Sequence, residues 1–131
     1  MRIVLATLAG LIASFAVNMG IVMIAVEVNP LLESGVDIND TEALINVMKN
    51  ASWEDYLLPL AAHISGILAG LISARIICRT SLIPIYIVAT VHMFGTVTNL
   101  YQIPHPTWFA IVDTGIPLLI IWRFIRKGNN R

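Results

Sequence analysis

A chain of 131 residues is a single domain on length, and 57% hydrophobic against 12% charged residues is too apolar for an ordinary soluble domain, which places it among membrane proteins. Eight basic and eight acidic residues cancel to a formal net charge of zero, which speaks against a nucleic-acid partner. Cys78 is the single cysteine, so one chain can form neither an internal disulfide nor a cysteine metal cluster.

Arg2 followed by an apolar run has the form of a signal peptide or of a first membrane helix, and the run is read as a helix. It covers about 3–26, long enough for a crossing of about 20 residues, and only Thr7, Gly10, Ser14 and Asn18 interrupt it. Those four recur at helical spacing and form one small, polar stripe beside a lipid-facing remainder of leucine, isoleucine and valine. Glu27, Asn29 and Pro30 end the helix and open an acidic outer loop over 27–55. Within it Asn39 and Glu42 fit a capping box ahead of Leu44, Ile45, Val47 and Met48, which predicts a short amphipathic helix lying at the membrane surface.

The second span, about 56–78, carries the ladder Ala62, Gly66, Gly70 and Ala74. Small residues four apart share one helix face and let another backbone approach closely, so this ladder is a helix-packing surface. His63 and Ser73 border the same face. A tight turn follows, where Ser81 can cap and Pro84 can occupy the first turn of a third span ending near 101. That span repeats the pattern with His92, Gly95, Thr96, Asn99 and Gln102. Pro104, His105 and Pro106 make a stiff connection to the fourth span, about 108–124, with Asp113, Thr114 and Pro117 on one face.

Orientation follows from the cations. Arg2, Arg75, Arg79, Arg123, Arg126, Lys127 and Arg131 fall on one side, whereas the loop between the first two spans has only Lys49, so both termini are expected in the cytoplasm. The expected fold is therefore an all-α membrane protein, four transmembrane helices in an antiparallel bundle forming one domain over residues 1–131.

Counting about 1.5 Å per residue from the outer ends, Asn18, His63, His92 and Asp113 lie roughly 8 to 13 Å deep. Their stripes turn them inward, and Asn99 stands one level above them. Ionisable groups at such depth are costly and mark a site, a pathway or a mutual pair, so these five residues are the candidate polar or ligand-binding cluster. One alternative is that Asp113 and a histidine simply fix helix register. Others are axial ligation of a haem by His63 and His92, or a metal held by His63, His92 and Asp113. A proton or ion path is disfavoured because the inner halves are dry, and an enzyme because neither Ser65, Ser73 nor Cys78 has a catalytic partner.

Two functions remain. One is an interaction or accessory subunit, packing by its glycine ladder and outer loop on itself or on other membrane-protein chains within the lipid. The other is a binding protein holding a metal, haem or small polar ligand in the outer half of the bundle.

Ala62-His63 with the glycine ladder, Asn99 ahead of Ile103-Pro104, and Pro106, Trp108-Phe109, Asp113 and Pro117 together resemble a family of small four-helix bacterial inner-membrane proteins of uncharacterised function. The segment from Asn29-Pro30 through Gly35, Asp37, Asn39-Asp40 and Glu42-Ala43 is similar to that family's first loop. The resemblance implies a multi-pass protein of the bacterial inner membrane, and no activity comes with it.

Overall fold

Local chemistry at the helix starts sets the frame. Ser81 Oγ accepts the Ile83 N–H at 3.2 Å, and Pro84 occupies the first turn behind it, where a missing N–H costs nothing. After the stiff Pro104–Pro106 connection, the last helix starts with Ala110 N–H donating to the Pro106 carbonyl at 3.2 Å. The structure, a computed structural model, describes residues 1–28 and 40–129. These form α1 (Arg2–Val28), α2 (Thr41–Met48), a 3₁₀ turn (Glu54–Tyr56), α3 (Leu57–Ile77), α4 (Ile83–Gln102) and α5 (Thr107–Asn129).

Four of the helical segments, Arg2–Val28, Glu54–Ile77, Ile83–Gln102 and Thr107–Gly128, are long and apolar enough to cross a membrane. Three match the expected spans to within about two residues at each end. The fourth continues five residues past 124, because Arg126 and Lys127 propagate a helix well and Gly128 is the first weak helix former.

The short helix α2 exists, but its cap is not the expected one. Asp40 is the N-cap, and its Oδ1 accepts the Glu42 N–H at 3.0 Å and the Ala43 N–H at 3.2 Å. The box assigned to Asn39 is thus displaced by one residue, since a carboxylate beside the helix start is at least as good an acceptor; Asn39 itself lies outside the described residues. The Tyr56 hydroxyl donates to the Met48 carbonyl at 3.1 Å and ties the end of α2 to the start of α3.

α3 is the central element, packed against α1, α4 and α5. Its buried face is Ala62, Gly66, Ile67, Gly70, Leu71 and Ala74. Ile67, Leu71 and Ala74 join Ile85, Val88, Ala89 and Ile121 in the apolar core. The ladder faces α1 of the same chain. A Cβ on Gly70 would lie 2.8 Å from Ser14 Cβ and 2.9 Å from the Gly10 carbonyl oxygen, and one on Gly66 would lie 3.0 Å from the Ser14 carbonyl oxygen and 3.1 Å from Asn18 Cβ. The contacts step down α3 as they step up α1. Gly10 completes the seam, with Gly70 O 2.9 Å and Ala74 Cβ 3.1 Å from the place its own Cβ would take. Close backbone approach of this kind is how helices hold together in lipid, where dispersion replaces the hydrophobic drive.

The ladder is therefore spent inside the chain and is not a free surface for another subunit. What remains outward is large and apolar, including Leu8, Ile12, Phe15 and Met23 on α1, Phe94 and Val97 on α4, and Ile111, Leu118 and Leu119 on α5. Such faces suit contact with lipid tails.

Candidate functional site: a polar groove between α1, α3 and α4

The stripes of three helices converge where α1 and α3 are closest. Gly66 and Gly70 have no side chains to fill the gap, so His92 of α4 can reach across it. His92 Nδ1 lies 2.9 Å from Ser14 Oγ of α1, and its Cε1 rests 3.3 Å from the place a Gly66 Cβ would occupy. His63 of α3 meets the His92 ring edge to face, with centroids 6.3 Å apart. On its other side His63 Nδ1 lies 2.8 Å from both Oδ1 and Oδ2 of Asp113, which is fully buried in α5. A nitrogen facing two carboxylate oxygens is the donor, so His63 carries its proton on Nδ1.

The α5 backbone contributes to this position. Pro117 brings no N–H and so withholds the helical bond from the Asp113 carbonyl, while Thr114 Oγ1 turns back to donate to the Ala110 carbonyl at 2.7 Å.

Beside the histidines lies a half-open cavity of about 340 Å³ lined by Leu11, Ser14, Phe15, Asn18, Met19, His63, Val91, His92, Gly95 and Thr96. Its floor is polar and its rim apolar, with Phe15 and Val91 exposed at the outer edge. At Gly95 nothing lies within 4 Å of the place a Cβ would take, so the glycine leaves its side of the groove open. His92 Nε2 is sealed from the cavity: it is buried near the His63 backbone and makes no well-aligned hydrogen bond among the described residues.

Four of the five candidates named from sequence thus meet: Asn18, His63 and His92 line the groove, and Asp113 anchors His63 from behind. Asn99 does not reach the groove; it stands a turn beyond Gly95 and Thr96, and its carbonyl accepts the Ile103 N–H at 3.0 Å to close the end of α4. The proposed metal set is not assembled. Among the described residues no three His, Cys, Asp or Glu side chains are grouped to hold a metal ion. His63 spends Nδ1 on Asp113, and Ser14 occupies His92 Nδ1. The two imidazoles are also in direct contact, since 6.3 Å is an ordinary distance for touching aromatic rings, which leaves no room between them for a macrocycle.

Sequence reading passed over His105. Its Nδ1–H donates to the Ile103 carbonyl at 2.6 Å, and its ring stacks on Phe109 at 4.8 Å with Tyr56 beyond at 5.9 Å. Burial in this aromatic cluster holds the imidazole below its ordinary pKa. The stiff Pro104–Pro106 frame was the only sign in the sequence that this histidine would be held in place.

No protein-family model matches the chain, and no curated protein or solved structure matches it either. The site must be interpreted from its own chemistry.

Proposed function

We propose that this is a multi-pass protein of the bacterial inner membrane that binds a small amphiphilic molecule in the groove between α1, α3 and α4. The observation that carries the reading is the half-open cavity of about 340 Å³ whose wall combines Ser14, Asn18, His63, His92 and Thr96 with apolar side chains and which its own chain does not fill. The cavity's size falls at the lower end of ordinary ligand sites, and its mixture of apolar wall and few polar groups is typical of them. A hydroxyl, carbonyl or amide on the ligand would be met by Asn18 and Thr96. An apolar remainder would lie along Leu11, Phe15, Met19 and Val91. The exposed rim favours access from the lipid rather than from water.

The bundle is antiparallel with both termini cytoplasmic in this reading, supported by the reversed order of contacts between α1 and α3 and by the side on which the cations fall. The bacterial setting rests on the family resemblance of the His63, Asn99 and Asp113 segments. A role as an accessory subunit would draw on the outer loop, since the ladder packs within the bundle.

Photocrosslinking tests the reading directly. A benzophenone amino acid at Phe15, on the rim, should capture a discrete small mass in native membranes, and the same group at Leu118 on the lipid face of α5 should capture bulk phospholipid only. Identical adducts at both positions would refute a site in the groove.

A further inference from the structure

A second cavity, of about 240 Å³, lies at the opposite end of the bundle and is lined by Arg75, Arg123, Phe124 and Lys127. Arg75 belongs to the last turn of α3, and its guanidinium reaches across to α5, where Nη2 lies 3.5 Å from the place a Gly128 Cβ would occupy. Gly128 also packs on Leu82, which draws the end of α5 against the start of α4. Arg123 and Lys127 are four apart on α5, so they share the helix face on which that cavity lies. Three cations from two helices therefore surround one hollow. Like charges at this spacing repel one another weakly, and an anion seated between them would turn that repulsion into attraction.

The chain supplies no such anion that is described: among the described residues no arginine or lysine is paired with a carboxylate. Arg126, by contrast, is turned away, with its guanidinium 5.3 Å from the centroid of the Trp122 ring. We propose that the Arg75–Arg123–Lys127 cavity binds a phosphate-bearing anion, the chemistry presented by an anionic phospholipid headgroup and by soluble phosphates alike. The guanidiniums give forked hydrogen bonds to phosphate oxygens, the lysine adds a point charge, and Phe124 at the rim can meet an acyl chain. Basic pockets between membrane helices on the cytoplasmic side commonly have this composition.

The test is native mass spectrometry of the full-length protein in mild detergent, delipidated and titrated with phosphatidylglycerol, cardiolipin or phosphatidylcholine, each with and without inorganic phosphate or pyrophosphate. The proposal expects anionic lipid to bind more tightly than phosphatidylcholine and to weaken about fivefold with each cation removed in Arg123→Gln or Lys127→Gln. Arg126→Gln should change nothing. Lipid that persists against millimolar phosphate would assign the site to a headgroup; displacement, with a phosphate adduct, would assign it to a soluble phosphate. Both support a phosphate site. Arg123 and Lys127 are exposed, so the outcome does not depend on whether Arg75→Gln folds. Equal binding of phosphatidylcholine and phosphatidylglycerol, or equal losses in Arg126→Gln and Lys127→Gln, would overturn the proposal.

Discussion

His63 and Asp113, fifty residues apart in sequence, form the one histidine–carboxyl contact among the described residues, with Nδ1 at 2.8 Å from both carboxyl oxygens. The pair joins α3 to α5 across the interior and presents the other face of the imidazole to His92 and the groove. Removing His63 alone, as in His63→Leu, strands a fully buried carboxyl group and should destabilise the bundle by about 3–5 kcal/mol. The double variant His63→Leu with Asp113→Leu should recover most of that loss, because a buried pair is worth little more than well-packed apolar side chains. A double-mutant cycle of unfolding free energies in detergent measures the coupling.

The seam between α1 and α3 predicts a sharp contrast among glycines. Gly70→Ala places a methyl group 2.8 Å from Ser14 Cβ, 2.9 Å from a backbone oxygen and 2.9 Å from Val88, and should cost about 1–3 kcal/mol. Gly20→Ala and Gly115→Ala meet nothing within 4 Å, and each should gain up to about 1 kcal/mol from improved helix propensity. Thermal unfolding of the three variants side by side decides it. If Gly70→Ala dissociates an oligomer while leaving the monomer as stable as before, the ladder faces another chain after all.

His105 lies outside the spans and sets a pH dependence. Its folded pKa is below the unfolded value of about 6.5, so the unfolded chain binds more protons in the window between the two. Stability should therefore fall as pH drops below about 6.5 and level off once the folded pKa is passed. His105→Gln should remove that part of the acid sensitivity. Unfolding midpoints of wild type and variant, compared between pH 7.5 and 5, report the difference.

Much of this was legible in the sequence, and the omissions have physical causes. The four spans follow from runs of apolar residues whose length a bilayer fixes, and the inward faces follow from small and polar residues at helical spacing. That is why His63, His92, Asn18 and Asp113 stand together. Period alone does not say which helices touch, so neither the partnership of His92 with Ser14 nor the seating of Gly66 and Gly70 against α1 could be read from it. Asn99 shows the limit of a stripe, because one more turn along α4 carried it past the groove to the helix end. Asp40 displaced Asn39 as cap because two good acceptors stood side by side. His105 carried no periodic signal at all, since its position comes from prolines and from Phe109 and Tyr56 on other segments.

The groove predicts that filling it differs from breaking it. Gly95→Phe points a ring into open space and should leave the unfolding midpoint within about 0.5 kcal/mol of wild type while occluding the cavity. His92→Leu, by contrast, removes the hydrogen bond to Ser14 and leaves that hydroxyl without its partner, so the empty protein should lose about 1–3 kcal/mol. Unfolding of both variants after exhaustive delipidation tests this.

The most direct measurement is native mass spectrometry of the protein extracted gently from its own membrane, wild type beside Gly95→Phe. The account predicts a discrete small mass on wild type, distinct from bulk phospholipid and near one per chain, that is missing from the folded Gly95→Phe protein. A wild-type protein that is folded and bare, or an adduct that survives Gly95→Phe undiminished, would contradict it.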